Sequence, residues 1–408
     1  MPHRDKSARP AETFAHRRVR VGFVLSQVFF GLATSLFDMF YPLYLGSVGV
    51  NAEGAGLVFS VGFAVMALAV MPMSLAAARV GVQRFMLVSS FGFGLTMLLV
   101  PFLVGLTSHL VVFAVNSVCA AVMLVAVNSV VGRAIRDDGQ RFSTFTAGFL
   151  AFLAASAVGN LLGVALARWG GGGALERTAL VAAGLLALGV GASRVLMRDR
   201  PDEPGGLADD VRGGRGWPRL VRENRVRLGH LMMVALFVGG AGVLAIRFLS
   251  IVAVEYFGMD EEGLGWLLVG DRIASFFGLF VLAPLMKRRD PFRVAGVVMI
   301  VALILQILSA GASIAAVYAI WYLSRQGLHY SQMPVLDHAA NLDTPATGRT
   351  IFNGTQRMGI YLGSALGSLA YGALIARDLF GWAMILSGVF AALAGVGYLF
   401  RPAIRRAS

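Results

Sequence analysis

The chain reads as an all-α membrane protein, with twelve transmembrane helices in two pseudo-symmetric six-helix halves around a central cavity. Three observations predict this: an apolar composition, apolar runs that recur at about the length needed to cross a bilayer, and a repeat relating the two halves. Of 408 residues, 57% are hydrophobic and only 14% charged, with a mean hydropathy of +0.73. Soluble domains carry about 25% charged residues, so the composition argues against a water-soluble fold.

The apolar runs fall at 21–47, 54–78, 85–106, 109–131, 143–167, 177–197, 229–256, 263–286, 292–310, 312–335, 350–375 and 380–400. Each is long enough to span as a helix. The two-residue alternation of a β-barrel is absent, which leaves helices as the spanning structure.

The net charge of +13 is distributed as a topology signal. With the N-terminus in the cytoplasm, most of the 35 Lys+Arg fall in cytoplasmic segments, and the outer loops hold only Arg168, Arg177 and Arg377. Positive charge concentrated on one side places both termini in the cytoplasm and argues against a nucleic-acid partner. The segments are then a tail at 1–20, a six-helix bundle at 21–197, a linker at 198–228, a second bundle at 229–400 and a tail at 401–408. The linker, RDRPDEPGGLADDVRGGRGWPRLVRENRVR over 198–227, is rich in Gly, Pro and charge and reads as flexible. The first span is too long for a signal-peptide core, and no small-residue cleavage site is evident. Cys119 is the only cysteine, so no intrachain disulfide forms, and it reads as a packing residue. Lys6 and Lys287 are the only lysines among the basic residues; with abundant Ala and Gly this points to a high-GC bacterial genome and hence to the cytoplasmic membrane of a bacterium.

The repeat appears when one half is slid over the other by 208 to 209 positions. Glu53-Gly54-x-Gly56 lies over Glu262-Gly263-x-Gly265, and Arg79 and Arg84 lie over Arg288 and Arg293. Arg141 falls on Arg349, and Ser156-Ala157-x-Gly159-x-Leu161 falls on Ser364-Ala365-x-Gly367-x-Leu369. Gly31 and Gly49 fall on Gly240 and Gly258. A nearly constant offset that includes charged loop positions indicates two parallel repeats, related by an axis along the membrane normal.

On these residues the sequence resembles the major facilitator superfamily over essentially 20–400. That family's signature after span 2 is G-x-L-a-D-R-x-G-R-[RK]. Here Ser74-Leu-Ala-Ala-Ala78-Arg79-Val-Gly81-Val-Gln-Arg84 keeps an Arg, the turn glycine and a later basic residue, with Ala78 at the acidic position. The copy after span 8, Ala283-Pro-Leu285-Met-Lys287-Arg288-Arg289-Asp290, is equally degraded. Antiporters of the family carry G-x3-G-P-x2-G-G in span 5, where this chain has Ala155-x3-Gly159-Asn160-x2-Gly163-Val164. That stretch is either an antiporter remnant or ordinary close packing of small residues. Proton-coupled exporters carry Arg and then Gln-Gly in span 4, where this chain has Asn116, Cys119 and Ala120. The resemblance implies a secondary transporter working by alternating access, with spans 1, 4, 7 and 10 lining the cavity. No G-x4-G-K-[ST] loop and no H-E-x-x-H motif is present, so neither an enzyme, a cofactor nor a metal is expected.

Charges inside apolar spans are costly and mark cavities or partners. Asp38 lies in LFDMFYPLYL with no Lys or Arg between Arg20 and Arg79, and position 38 plus 209 is Arg247. On the family's helix arrangement the two would face each other across the halves. Their pairing reads as a proton-coupled gate, as a static latch, or, for Asp38, as contact with cavity water. Gln27, Thr34, Asp38 and Tyr41 share one helical stripe and form a candidate cavity face, with Pro42 beyond it. Tyr322, Arg325 and His329 in span 10, Asn116 at the repeat position of Arg325, and Asn353 and Gln356 in span 11 complete the candidate substrate-binding set. His329 is read either as a proton carrier or as a hydrogen-bonding residue. Depth counting pairs Asp271 with Arg357 as a structural ion pair, while Glu255 and Arg272 lie nearer span ends, within snorkelling reach of water. Arg79, Gly81, Arg84, Arg288 and Arg293 mark the signature loops.

The function these readings favour is proton-coupled export of a drug or metabolite by a monomer, with a small molecule, protons and the bilayer as partners. Uptake or exchange of an organic anion, a uniporter, and a membrane sensor on the same scaffold are the alternatives.

Overall fold

The structure is a computed structural model that describes residues 14–135, 138–169, 173–197, 221–341 and 349–400. The expected tails and most of the linker lie outside the described residues.

Twelve long helices follow one another: α1 Phe14–Ser47, α2 Ala52–Val80, α3 Val82–Leu99, α4 Leu106–Ala134, α5 Asp138–Trp169, α6 Gly173–Val195, α7 Arg225–Val243, α8 Glu261–Arg288, α9 Pro291–Ala310, α10 Ala315–Ser331, α11 Arg349–Ile375 and α12 Phe380–Leu399. Among the described residues there is no strand. Eleven of these helices are long and apolar enough to cross a membrane. The exception is α10, whose 17 residues include a buried Arg, Gln and His, and a short helix, Met333–Asn341, follows it.

Two features of the helices were invisible in hydropathy. The span begun by α7 does not stay α-helical: it continues through a wide, π-type turn at Leu244–Phe248, a short α stretch at Leu249–Ile251 and a second wide turn at Val252–Tyr256. The helix starts are fixed by local chemistry. Asn51 Oδ1 accepts from Gly54 N at 2.9 Å at the start of α2, and Asp260 Oδ1 accepts from Gly263 N at 2.8 Å at the start of α8. Gly81, with φ of 117°, makes the α2–α3 turn in a conformation that favours glycine.

The halves are built alike. In the first, α1 packs on α5 and α6, α3 on α4 and α6, and α2 on α4. In the second, α7 packs on α11 and α12, α9 on α10 and α12, and α8 on α10. Even single bonds recur: Ser156 Oγ donates to Gly31 O and Ser364 Oγ donates to Gly239 O, both at 3.3 Å. The structural counterpart of Gly31 is therefore Gly239, one residue before the Gly240 that the repeat suggested. Bare glycine surfaces permit both approaches, since a Cβ at Gly31 would stand 2.5 Å from Phe152 O and one at Gly239 would overlap Ile360 O.

Between halves, α2 runs along α11 and α5 meets α8. The α2–α11 seam closes at both ends, with Gly56 against Gly372 and Met71 against Gly354. Bonds between α5 and α8 gather at the end away from the described termini: Asn160 Nδ2 donates to Leu268 O at 3.0 Å, and exposed Arg168 pairs with Glu262. No extended contact joins α4 to α10 among the described residues. The halves thus meet along α2 and α11 at both ends, while the α5–α8 bonds gather at the far end and α4 and α10 stay without extended contact.

Candidate functional site

α1 supplies the acid of the site because its polar positions fall on one stripe in an otherwise apolar helix. Gln27, Thr34 and Asp38 on that stripe are half-buried, and Tyr41, one turn nearer the closed end, is fully buried. Accessibility therefore ends between Asp38 and Tyr41. The Thr34 hydroxyl donates to Phe30 O at 2.8 Å, so it is tied to its own helix. Tyr41 OH and His109 Nδ1 share a hydrogen bond of 3.3 Å, which places Tyr41 in the closed end of the cavity.

Across the seam, Arg247 Nη1 donates to Asp38 Oδ1 at 2.5 Å, with the two side chains 18% and 15% exposed. Ser250 Oγ donates to the carbonyl of the same Asp38 at 3.3 Å. The Arg247 guanidinium also sits 5.6, 5.7 and 5.8 Å from the ring centroids of Phe59, Phe63 and Phe113. These ring faces hold a cation in place when its carboxylate partner is lost. The pair joins the first half to the second with both side chains partly exposed.

A second charged cluster lies inside the C-terminal half. Asp271 Oδ1 accepts from Tyr322 OH at 3.0 Å and from Gln326 Nε2 at 2.6 Å, and Asp271 Oδ2 lies 3.4 Å from Arg272 Nη1. Arg272 also donates to Tyr330 OH at 3.2 Å and is within electrostatic reach of Asp38. Two expectations are corrected here. Asp271 does not pair with Arg357: its carboxylate is taken by its own neighbour and by α10. Arg357 instead meets Asp337 at 3.4 Å, on the short helix after α10, where Gln356 Nε2 also donates to Asp337 at 2.7 Å. Arg272 does not snorkel, since it is 8% exposed and enclosed by α10.

The remaining candidates divide. Arg325 was expected on the cavity wall, but it is 1% exposed and points into its own bundle, donating to Gln326 Oε1, to Ala241 O and to Ser387 Oγ. Asn116 likewise turns inward, donating to Thr96 Oγ1 at 2.8 Å and Phe93 O at 3.2 Å on α3. His329 is 1% exposed, lies against Gly242, and neither ring nitrogen has a hydrogen-bond partner among the described residues. Asn353 is half-buried on α11. In the signature loops, Arg84 and Arg288 are exposed, Arg293 lies 3.8 Å from Asp290, and the side chain of Arg79 lies outside the described residues. Gly159 and Gly163 of span 5 lie against Ser35 and Met39 of α1, the close packing that small residues permit.

Sequence reasoning missed Gln326, Tyr330, Asp337, His109 and Arg194. Arg194 is 1% exposed and donates to Ser90 Oγ at 2.8 Å. It stands in the last turn of α6, near the end of the apolar run 177–197. Among the described residues, no group of His, Cys, Asp and Glu has the geometry to hold a metal.

Comparison with known proteins bears on the whole arrangement. A family model described as Major Facilitator Superfamily matches residues 23–336, well over half of the chain. No curated protein matches it. Among solved structures, the chain is similar to a bacterial homologue of the human lysosomal transporter Spinster, inward-facing and unoccupied, at 14% identity and a TM-score of 0.73, covering 95% of this chain and 96% of that one. A D-xylose–proton symporter is similar at 13% identity and a TM-score of 0.73, covering 94% and 97%. A mutant of the nucleoside transporter NupG is similar at 12% identity and a TM-score of 0.72, covering 94% and 99%. At these identities the likeness is one of fold.

Proposed function

Because the chain belongs to the Major Facilitator Superfamily, we propose that it moves a small uncharged polar solute across the membrane by alternating access, coupled to a proton taken up and released by Asp38. The observation that carries this reading is the Asp38–Arg247 pair, which ties the halves together at 2.5 Å with both side chains partly exposed. Protonating Asp38 frees Arg247, whose aromatic surround keeps it solvated by ring faces, and this biases the halves towards parting. The chain's basic residues favour the end holding both termini, which supports a cytoplasmic placement of that end and an inward-open conformation.

Charge balance supports an uncharged solute. Asp38 is matched by Arg247 and Asp271 by Arg272, while Arg325, the cation that favoured an organic anion, is enclosed in its own bundle. The exporter reading loses support as well, because the span-5 glycines serve the contact with α1 and Asn116 is tied to α3. The names of similar structures, a D-xylose–proton symporter and a nucleoside transporter, support the same solute class.

The test is solute-evoked proton movement in proteoliposomes, comparing wild type with Asp38→Asn across sugars, nucleosides, cationic dyes and organic acids. Proton uptake evoked by sugars or nucleosides and lost in the variant is the expected result. A response to dyes alone, with protons leaving as the dye enters, would restore export. A response to organic acids alone would restore the anion reading, and undiminished coupling in Asp38→Asn would remove Asp38 from the mechanism.

A further inference from the structure

We infer that Arg325 is a positioning residue: it holds the wide turn in α7 and so determines which side chain of that helix meets Asp38.

The argument starts from register. Up to Gly239 the halves correspond at an offset of 208, as the paired bonds Ser156–Gly31 and Ser364–Gly239 show. By the start of the next helix the offset is 209, as the paired caps Asn51–Gly54 and Asp260–Gly263 show. One extra residue has entered the second half between Gly239 and Asp260. At an offset of 208 the counterpart of Asp38 is Ile246, yet the residue that meets Asp38 is Arg247. Two wide turns lie in that interval, Leu244–Phe248 and Val252–Tyr256, and the first of them carries Arg247, so it is the one that sets the register reaching Asp38.

A wide turn shifts backbone pairing from four residues to five, so carbonyls just before it lose well-aligned partners and need other donors. The carbonyls at that place are Gly240 and Ala241. Tyr371 OH donates to Gly240 O at 2.8 Å, and Ser387 Oγ and Arg325 Nη2 donate to Ala241 O at 2.9 and 2.5 Å. Donors from α10, α11 and α12 thus converge on two successive carbonyls of one helix. Burying a guanidinium is expensive, and Arg325 has no carboxylate within ion-pair distance among the described residues. What it receives in return is a backbone carbonyl and Gln326. Its use is to keep α7 wide at this point.

A cross-linking experiment reads the register directly, whether or not the protein couples transport to protons. In a Cys119→Ser background, Asp38→Cys is combined with either Arg247→Cys or Ile246→Cys and treated with a short bifunctional thiol reagent. With Arg325 present, 38 cross-links to 247. With Arg325→Met, the 38–247 rate falls about tenfold, the order expected for loss of a charge-assisted bond to a buried carbonyl, and the 38–246 rate rises. Arg325→Lys, which keeps a cationic donor, lies between. If Arg325→Met proves too unstable to purify, Tyr371→Phe/Ser387→Ala removes two donors without stranding a charge and shifts the rates in the same direction. Wild-type cross-linking at 247 in these variants overturns the inference, as does a fall at 247 with no gain at 246. A second readout rests on the proposed function: moving the arginine by Arg247→Ile/Ile246→Arg abolishes transport with Arg325 in place and restores part of it with Arg325→Met.

Discussion

Exchanging the charges of Asp38 and Arg247 tests whether this contact couples the halves. Removing one partner of a buried ion pair costs about 3–5 kcal/mol. Here the side chains are 18% and 15% exposed, so water compensates in part, and Asp38→Ala or Arg247→Met is expected to cost about 3 kcal/mol, the lower end. The exchange rebuilds the pair with its poles reversed. The arginine then leaves the rings of Phe59, Phe63 and Phe113, each contact being worth about 0.5–1 kcal/mol, and a carboxylate takes its place against their negative faces. Asp38→Arg/Arg247→Asp should therefore recover only about half of the roughly 6 kcal/mol that the two single changes would cost if they were additive, a coupling energy of about 3 kcal/mol in a double-mutant cycle. The assay is unfolding in mixed micelles followed by Trp fluorescence, run on wild type, both single variants and the exchange, with transport measured alongside. Additivity within about 0.5 kcal/mol would show that the pair does not act as a unit.

Three further outcomes are expected. Asp271→Leu should destabilise the C-terminal half by about 3 kcal/mol, because Arg272 is left without its carboxylate, whereas Asp271→Leu/Arg272→Leu should be closer to wild type in the same unfolding assay. Arg168→Glu should change stability by less than about 1 kcal/mol, since the Arg168–Glu262 pair is exposed, yet it should loosen the closed end, read as faster thiol labelling of Val164→Cys; unchanged labelling would show that this pair does not hold that end. Gly372→Val should be poorly tolerated, since even a Cβ there would lie 2.9 Å from the Gly56 Cα; overpacking of about 1–3 kcal/mol should appear as lowered thermal stability, with Gly229→Val as a control in open surroundings.

The fold was legible because membrane insertion demands long apolar helices, and the repeat was legible because charged loop positions recur at one spacing. Counting along that repeat also pointed from Asp38 to Arg247. The same counting failed for Asp271 and Arg357, because depth gives no azimuth: side chains at one level can face different neighbours. It also ignored Asp337, which lies in a short helix beyond the apolar run. Arg325 was misplaced for a related reason. A buried arginine was read as a substrate-binding residue, while a backbone carbonyl beside a widened turn takes its guanidinium instead. The sequence carried no trace of that turn, since the repeat matched Gly31 to Gly240 and only the recurring bonds show Gly239 as its counterpart.

The crossing of α2 and α11 has a mechanical consequence. Where Gly56 meets Gly372, neither helix presents a side-chain ridge, and backbone touches backbone. Helices that mesh like gears must lift over one another to change angle, with a barrier at each tooth. Here the contact is toothless, so the two bundles can tilt about this point as a plain bearing, with the resistance to rocking left to contacts elsewhere between the halves, Met71 against Gly354 and the two charged pairs among them.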